Sequence, residues 1–171
     1  MAKRPLRKTN RTVLIVVEGE CEEAFVAHLK NLYYRRGMQL SVSIRNAHGH
    51  GPQGVIDKLK SVAKTADFDH RVAVLDADIP LTVAELTWLR REKVETIVSN
   101  PAIEATLLAI LGRRPPAATP RCKTDLLRHA PGDQTDAHYH QQHFPFEILE
   151  RARERVAVLA ALIAAVSVQQ A

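Results

Sequence analysis

The chain has 171 residues, 46% of them hydrophobic and 25% charged, which is ordinary for a folded globular protein and excludes a disordered one. Two cysteines, Cys21 and Cys122, are too few for a disulfide framework, and the longest apolar run, residues 156–166, is too short to cross a bilayer. The net charge of +5 equals the five cations Lys3, Arg4, Arg7, Lys8 and Arg11, so the remaining residues are balanced. One domain behind a basic arm (residues 1–11) is therefore expected, without signal peptide or membrane span, and with a cytoplasmic location. The arm either touches phosphates or is a solvated tail.

The predicted elements alternate. Residues 12–17 (TVLIVV) form a continuous β-branched run, as in a strand covered on both faces. Residues 20–36 have helical periodicity, with Phe25, Leu29 and Leu32 on one face and Gly37 as a stop. A half-exposed strand follows at 40–45, a glycine-rich loop at 47–54 and a helix at 55–66 with Val55, Leu59 and Val62 on its stripe. Residues 71–75 (RVAVL) read as another buried strand, 81–91 as a helix and 94–98 as a fourth strand. A helix is expected from Pro101 to about Leu111, stopped by Gly112. Residues 113–145 show little regularity, and one long helix is expected at 146–168. Its second half is apolar nearly all round and must be buried, against the sheet or against a second copy in a homodimer. The pattern predicts an α/β domain over 12–112, with a mostly parallel four-stranded sheet flanked by helices, and a C-terminal helical extension over 113–171 packed on the same domain.

Acids fall at two strand ends. Glu18-Gly19-Glu20-Cys21-Glu22-Glu23 follows the first strand, and Asp76-Ala77-Asp78 follows the third. In open parallel sheets, sites form beyond the carboxyl ends of strands where strand order reverses. If the two strands are neighbours there, Glu18, Asp76 and Asp78 converge. Carboxylates gathered in this way repel one another unless a cation neutralises them, and all-oxygen ligands select Mg²⁺ or Mn²⁺ over Zn²⁺. The plainer reading is that Glu20, Glu22 and Glu23 serve the dipole of a helix start and that the aspartates end a strand. Gly19 permits a tight turn or close approach by a ligand. Glu104 shares a helical face with Leu107, Leu108 and Leu111, as Glu22 does with Phe25, Leu29 and Leu32. An acid on an apolar stripe calls for a partner, which a site at the strand ends would supply; the helix dipole is the competing reading.

The series VEGECEEAFV (17–26), LDAD (75–78) and SNPAIEATLL (99–108) resembles the RloB-like proteins of the Toprim superfamily, relatives of the OLD-type nucleases. Their signature is a glutamate after the first strand, matched by Glu18, and an Asp-x-Asp after a later one, matched by Asp76 and Asp78. Glu22 corresponds to a further glutamate of the OLD-like branches, and the Ser-Asn-Pro followed by Glu104 points to the RloB-like branch. The resemblance implies a Toprim-like, Rossmann-related fold over about residues 12–112. It also implies a Mg²⁺- or Mn²⁺-dependent nuclease acting on DNA or RNA, in a prokaryotic defence or DNA-processing setting. On this view Glu18, Asp76 and Asp78 are catalytic, these three with Glu22 and Glu104 hold metal, and Lys123 is a candidate for the basic residue. The alternative is a catalytically inactive Toprim-fold module that binds nucleic acid or a partner protein.

Three further motifs are set aside. His138, His140 and His143 lack Cys or His partners at zinc-site spacing and read as a surface loop. His48 and His50 lie on the acids' side of the sheet, as phosphate contacts or as part of a flexible loop. The glycines 49, 51 and 54 are not followed by the Gly-Lys-Ser/Thr of a P-loop.

Overall fold

The computed structural model describes residues 10–35 and 37–167. Lys3, Arg4, Arg7 and Lys8 of the basic arm lie outside the described residues, whereas Arg11 opens the first strand. Chain order runs β1 (Arg11–Val17), α1 (Glu20–Tyr33), β2 (Leu40–Asn46), α2 (Gly51–Ala63), β3 (His70–Asp76), α3 (Val83–Arg91) and β4 (Glu95–Ser99). Then come α4 (Ile103–Ile110), α5 (Thr119–His129), α6 (Ala137–His143), α7 (Phe146–Arg153) and α8 (Ala157–Val166). All strand pairings are parallel, in the order β2-β1-β3-β4.

The alternation of side chains along the central strands divides two cores. Val13, Ile15 and Val17 of β1, with Val72 and Val74 of β3, face a large core shared with α1, α4 and the extension α5 to α8. Leu14, Val16, Ala73 and Leu75 face a smaller core closed by Val55, Ile56 and Leu59 of α2 and Leu89 of α3. Burial on both faces is why β1 and β3 read as unbroken apolar runs, each large side chain contributing ~1.5–3 kcal/mol. Among the described residues, no helix is long and apolar enough to cross a membrane.

Four expectations are corrected. The helix expected from Pro101 begins at Ile103, because the Pro101 carbonyl already accepts the amides of Ala77 and Asp78 and so is unavailable to a first turn. The loop expected at 47–54 gives way to α2 from Gly51, with Pro52 in its first turn. The irregular stretch contains α5 and α6, and the histidine tract is a helix rather than a surface loop. Within it Tyr139 and His140 are buried against Phe25 and Phe144. The single helix expected at 146–168 is broken in two. Val156 is extended (φ −115°, ψ 93°), and the preceding Arg155 guanidinium donates to the Ala109 and Ile110 carbonyls at 2.7 and 2.8 Å, capping α4. The break folds α8 back onto α1, β1 and β4, where Leu159, Leu162, Ile163 and Val166 are buried within the chain. That burial accounts for the helix's apolar surface without a second copy.

Candidate active site

Strand order reverses between β1 and β3: the chain leaves β1 for β2 on one side, and β3 and β4 lie on the other. The residues just past these two strands line one open cleft of about 520 Å³ at the carboxyl edge of the sheet. Its walls carry Glu18, Glu20, Glu22, Asp76, Asp78 and Glu104, with Cys21, His48, Thr119, Lys123 and Thr135. All five acids singled out as metal ligands are brought together here. Glu20 joins them from an exposed position, while Glu23 turns away and accepts the Asn46 side-chain amide at 2.9 Å.

Each acid is positioned by the local chain. Glu18 follows β1 directly, and its Oε2 faces the Asp76 amide at 3.5 Å, across the gap between the two strands. Gly19 starts α1 and leaves room for Glu22, since a Cβ there would lie 3.1 Å from Glu22 Oε2. Ala77 donates its amide to the Ser99 and Pro101 carbonyls, and Asp78 its own to Pro101, which holds the Asp-x-Asp turn against the end of β4. Asp78 is exposed and accepts the Thr119 hydroxyl at 3.2 Å. Glu104 sits in the first turn of α4, whose Thr106 hydroxyl donates to the buried Ser99 hydroxyl at 2.9 Å. It is only 4% exposed, and Lys123 Nζ stands 3.9 Å from its Oε1.

The electrostatics are those of crowded carboxylates with too little countercharge. Burial, and then repulsion from Glu22, Glu18, Glu104 and Asp78, pushes the Asp76 carboxyl up to about 8. Burial likewise raises Glu22, with Glu104 and Glu18 adding repulsion and the amides of Glu22 itself and Gly19 partly offsetting it. Glu18 is raised by burial, partly relieved by the Asp76 amide, with Asp78 opposing its ionisation. The Cys21 thiol is pushed up to about 11, by burial first and then by Glu22 and Glu104. A thiol held that high is protonated at neutral pH and is not a nucleophile.

Two of these carboxylates are incompletely satisfied. Asp76 Oδ1 and Glu104 Oε2 are buried with no hydrogen-bond partner. Orphaned buried oxygens are costly and call for an explanation, and a hard cation is one that also relieves the repulsion around them. The donor set is all oxygen and fits Mg²⁺ or Mn²⁺. Among the described residues, no group of three or more His, Cys, Asp or Glu side chains is already arranged to hold a metal ion.

Lys123 belongs to the cleft, as do His48 and Gly49, whose amide donates to the Glu18 carbonyl at 2.9 Å. His50 lies outside it, beside α2. Thr119 and Thr135 were not anticipated from the sequence. The Thr119-Pro120 pair is a recognisable helix start that marks the first of them, whereas nothing local marks Thr135. Comparison with protein-family models, with curated proteins and with solved structures found no match to this chain.

Proposed function

We propose that this protein is a metal-dependent phosphoryl-transfer enzyme of Toprim type, a nuclease acting on DNA or RNA. The observation that carries the reading is the convergence of Glu18, Glu22, Asp76, Asp78 and Glu104 on one cleft, with Asp76 Oδ1 and Glu104 Oε2 buried and unpartnered. Metal-free, that arrangement costs stability, and such strain is the ordinary signature of a functional site. The order of Glu18, the Asp76-Asp78 pair and Glu104 along the chain supports the Toprim assignment over other α/β sites.

Asp76 and Asp78 would hold Mg²⁺ or Mn²⁺, with Glu18 as a further ligand. Glu22 and Glu104 would hold a second ion or orient the first set of ligands. A bound divalent ion supplies polarisation of a phosphoryl oxygen and offsets charge as the scissile bond breaks. If it is not itself a ligand, Glu18, at the cleft edge of the strand pair, would instead take a proton from an attacking oxygen or return one to the leaving oxygen. Thr119 orients the Asp78 carboxylate, and Lys123 offers a positive charge to a phosphate that enters beside Glu104.

The test incubates the full chain with supercoiled plasmid, linear single- and double-stranded DNA, and RNA, in Mg²⁺, in Mn²⁺ and in EDTA. Metal-dependent cleavage that is lost in Asp76→Asn supports the reading. Absence of cleavage together with absence of any metal-induced thermal shift overturns it in favour of a binding module.

A further inference from the structure

The cleft contains six carboxylates and one lysine, a surface that repels phosphates at a distance. A nucleic acid approaching it must be held by cations beyond its rim. The chain from residue 113 to 128 carries Arg113, Arg114, Arg121, Lys123 and Arg128 against a single acid, Asp125. Arg128 is spent on Asp125, at 3.3 Å, and Lys123 reaches toward Glu104. Arg113, Arg114 and Arg121 are exposed and make no ion pair among the described residues. Most other lysines and arginines among the described residues are unpaired too, Lys60, Arg71, Arg91 and Arg153 excepted, so what sets this stretch apart is five cations against one acid within sixteen residues.

The helix that carries Arg121 is anchored at the cleft. Thr119 at its start donates to Asp78, and Lys123 one turn on flanks Glu104. Cys122 and Leu126 fix its inner face in the core, so its polar face is turned to solvent. At 1.5 Å per residue, the eleven residues of α5 extend roughly 16 Å from Thr119. Leu127, 56% exposed on that face, adds an apolar surface suited to a sugar or base.

We propose that α5 and the loop before it form the docking surface for the sugar–phosphate backbone of the nucleic acid, which delivers one phosphate to the acidic cleft. This rests on the phosphoryl-transfer reading. Exposed guanidinium groups without protein acids are well suited to pair with phosphate oxygens, and the helix that follows Arg113 and Arg114 and carries Arg121 starts at the cleft.

The test is binding of fluorescein-labelled single-stranded DNA, duplex DNA and RNA to the full chain. It is done in EDTA, where the proposed cleavage does not run, over a series of salt concentrations. Arg113→Ala/Arg114→Ala/Arg121→Ala is compared with Lys64→Ala/Arg90→Ala, a control at the residue that ends α2 and on α3. The triple variant is expected to bind at least about tenfold more weakly. Its log–log salt slope should fall by roughly 2–3 for duplex, or about 2 for single strands, at ~0.9 or ~0.7 per lost phosphate contact. The control should match the parent, and whichever probe loses most identifies the backbone read. Equal affinity and slope in triple variant and parent, or an equal loss in the control, overturns the proposal; so does a parent that binds none of the probes at low salt. A parent that binds by α5 and cleaves nothing would instead sink the enzymatic reading and leave the docking surface standing.

Discussion

Asp76→Asn keeps the side chain's volume and removes the charge that its surroundings oppose most. The carboxyl, ordinarily near 3.8, is pushed up to about 8 in the folded protein, by burial first and then by Glu22, Glu18, Glu104 and Asp78. A rise of that size sets a ceiling near 6 kcal/mol, at ~1.4 kcal/mol for each tenfold in the ionisation constant. The cleft is open to water and the acids share protons among them, so screening reduces the expected gain to about 1–2 kcal/mol. For a domain of this length that is a melting temperature about 2–8 °C higher. The sign follows from proton linkage. Between the ordinary and the folded value the native state binds more protons than the unfolded one, so the parent loses stability as pH rises from about 4 to about 8. The advantage of the asparagine variant should therefore be absent near pH 4, grow through neutrality and level off above pH 8. Saturating Mn²⁺ should reverse the order, because the parent gains ~2.7 kcal/mol at one hundred times the dissociation constant and the variant gains less. Differential scanning fluorimetry in EDTA and in Mn²⁺ at several pH values reads all of this. A variant that melts below the parent in EDTA at pH 8, or a difference independent of pH, refutes the reasoning.

Three further outcomes are expected. Glu104→Gln should keep the fold, lower the folded-state ionisation point of Asp76 and weaken Mn²⁺ binding by roughly 10- to 100-fold, as loss of a ligand or an orienting partner does; calorimetric titration measures it. His140 is fully buried, its Nε2 at 2.7 Å from the Gln134 carbonyl and its Nδ1 without a partner, and burial holds it down at about 4. Its contribution is thus present above about pH 6.5 and lost as pH falls toward 4. In the Asp76→Asn background, where the raised carboxyls of Glu18 and Glu22 act equally on both proteins, adding His140→Phe should raise the urea midpoint at pH 4 relative to that at pH 6.5, as the histidine's loss on acidification is removed. Phe144, fully buried and edge-on to Phe25 at 5.9 Å, ties the extension to α1, so Phe144→Ala should cost about 3–5 kcal/mol in urea unfolding. A loss below 1 kcal/mol would show that the extension is not part of the same core.

The sheet and the meeting of the acids were legible because the physics there is local. Residues 12–17 and 71–75 are apolar on both faces, which marks central strands, and parallel neighbours place Glu18 and Asp76 at the same edge. The other half of the cleft was less legible. Helix α5 buries only Cys122 and Leu126, too sparse a stripe to reveal its period, so Thr119 and the arginines beside it had no visible address. The break between α7 and α8 was hidden for another reason. Apolar periodicity continues through Val156, and what stops the helix is a distant contact, Arg155 on the carbonyl end of α4. Likewise, the start of α4 shifts because Ala77 and Asp78 claim the Pro101 carbonyl, a choice made by the sheet.

The central claim is that this cleft holds a divalent cation. The most direct measurement is anomalous diffraction from crystals of the full chain soaked in Mn²⁺, collected at the manganese edge beside an Asp76→Asn control. An anomalous peak ligated by Asp76 and Asp78, with Glu18 within reach and Glu104 turned toward it, is the result predicted. A cleft without anomalous density in well-diffracting soaked crystals, with the carboxylates protonated and bonded to one another instead, would contradict it.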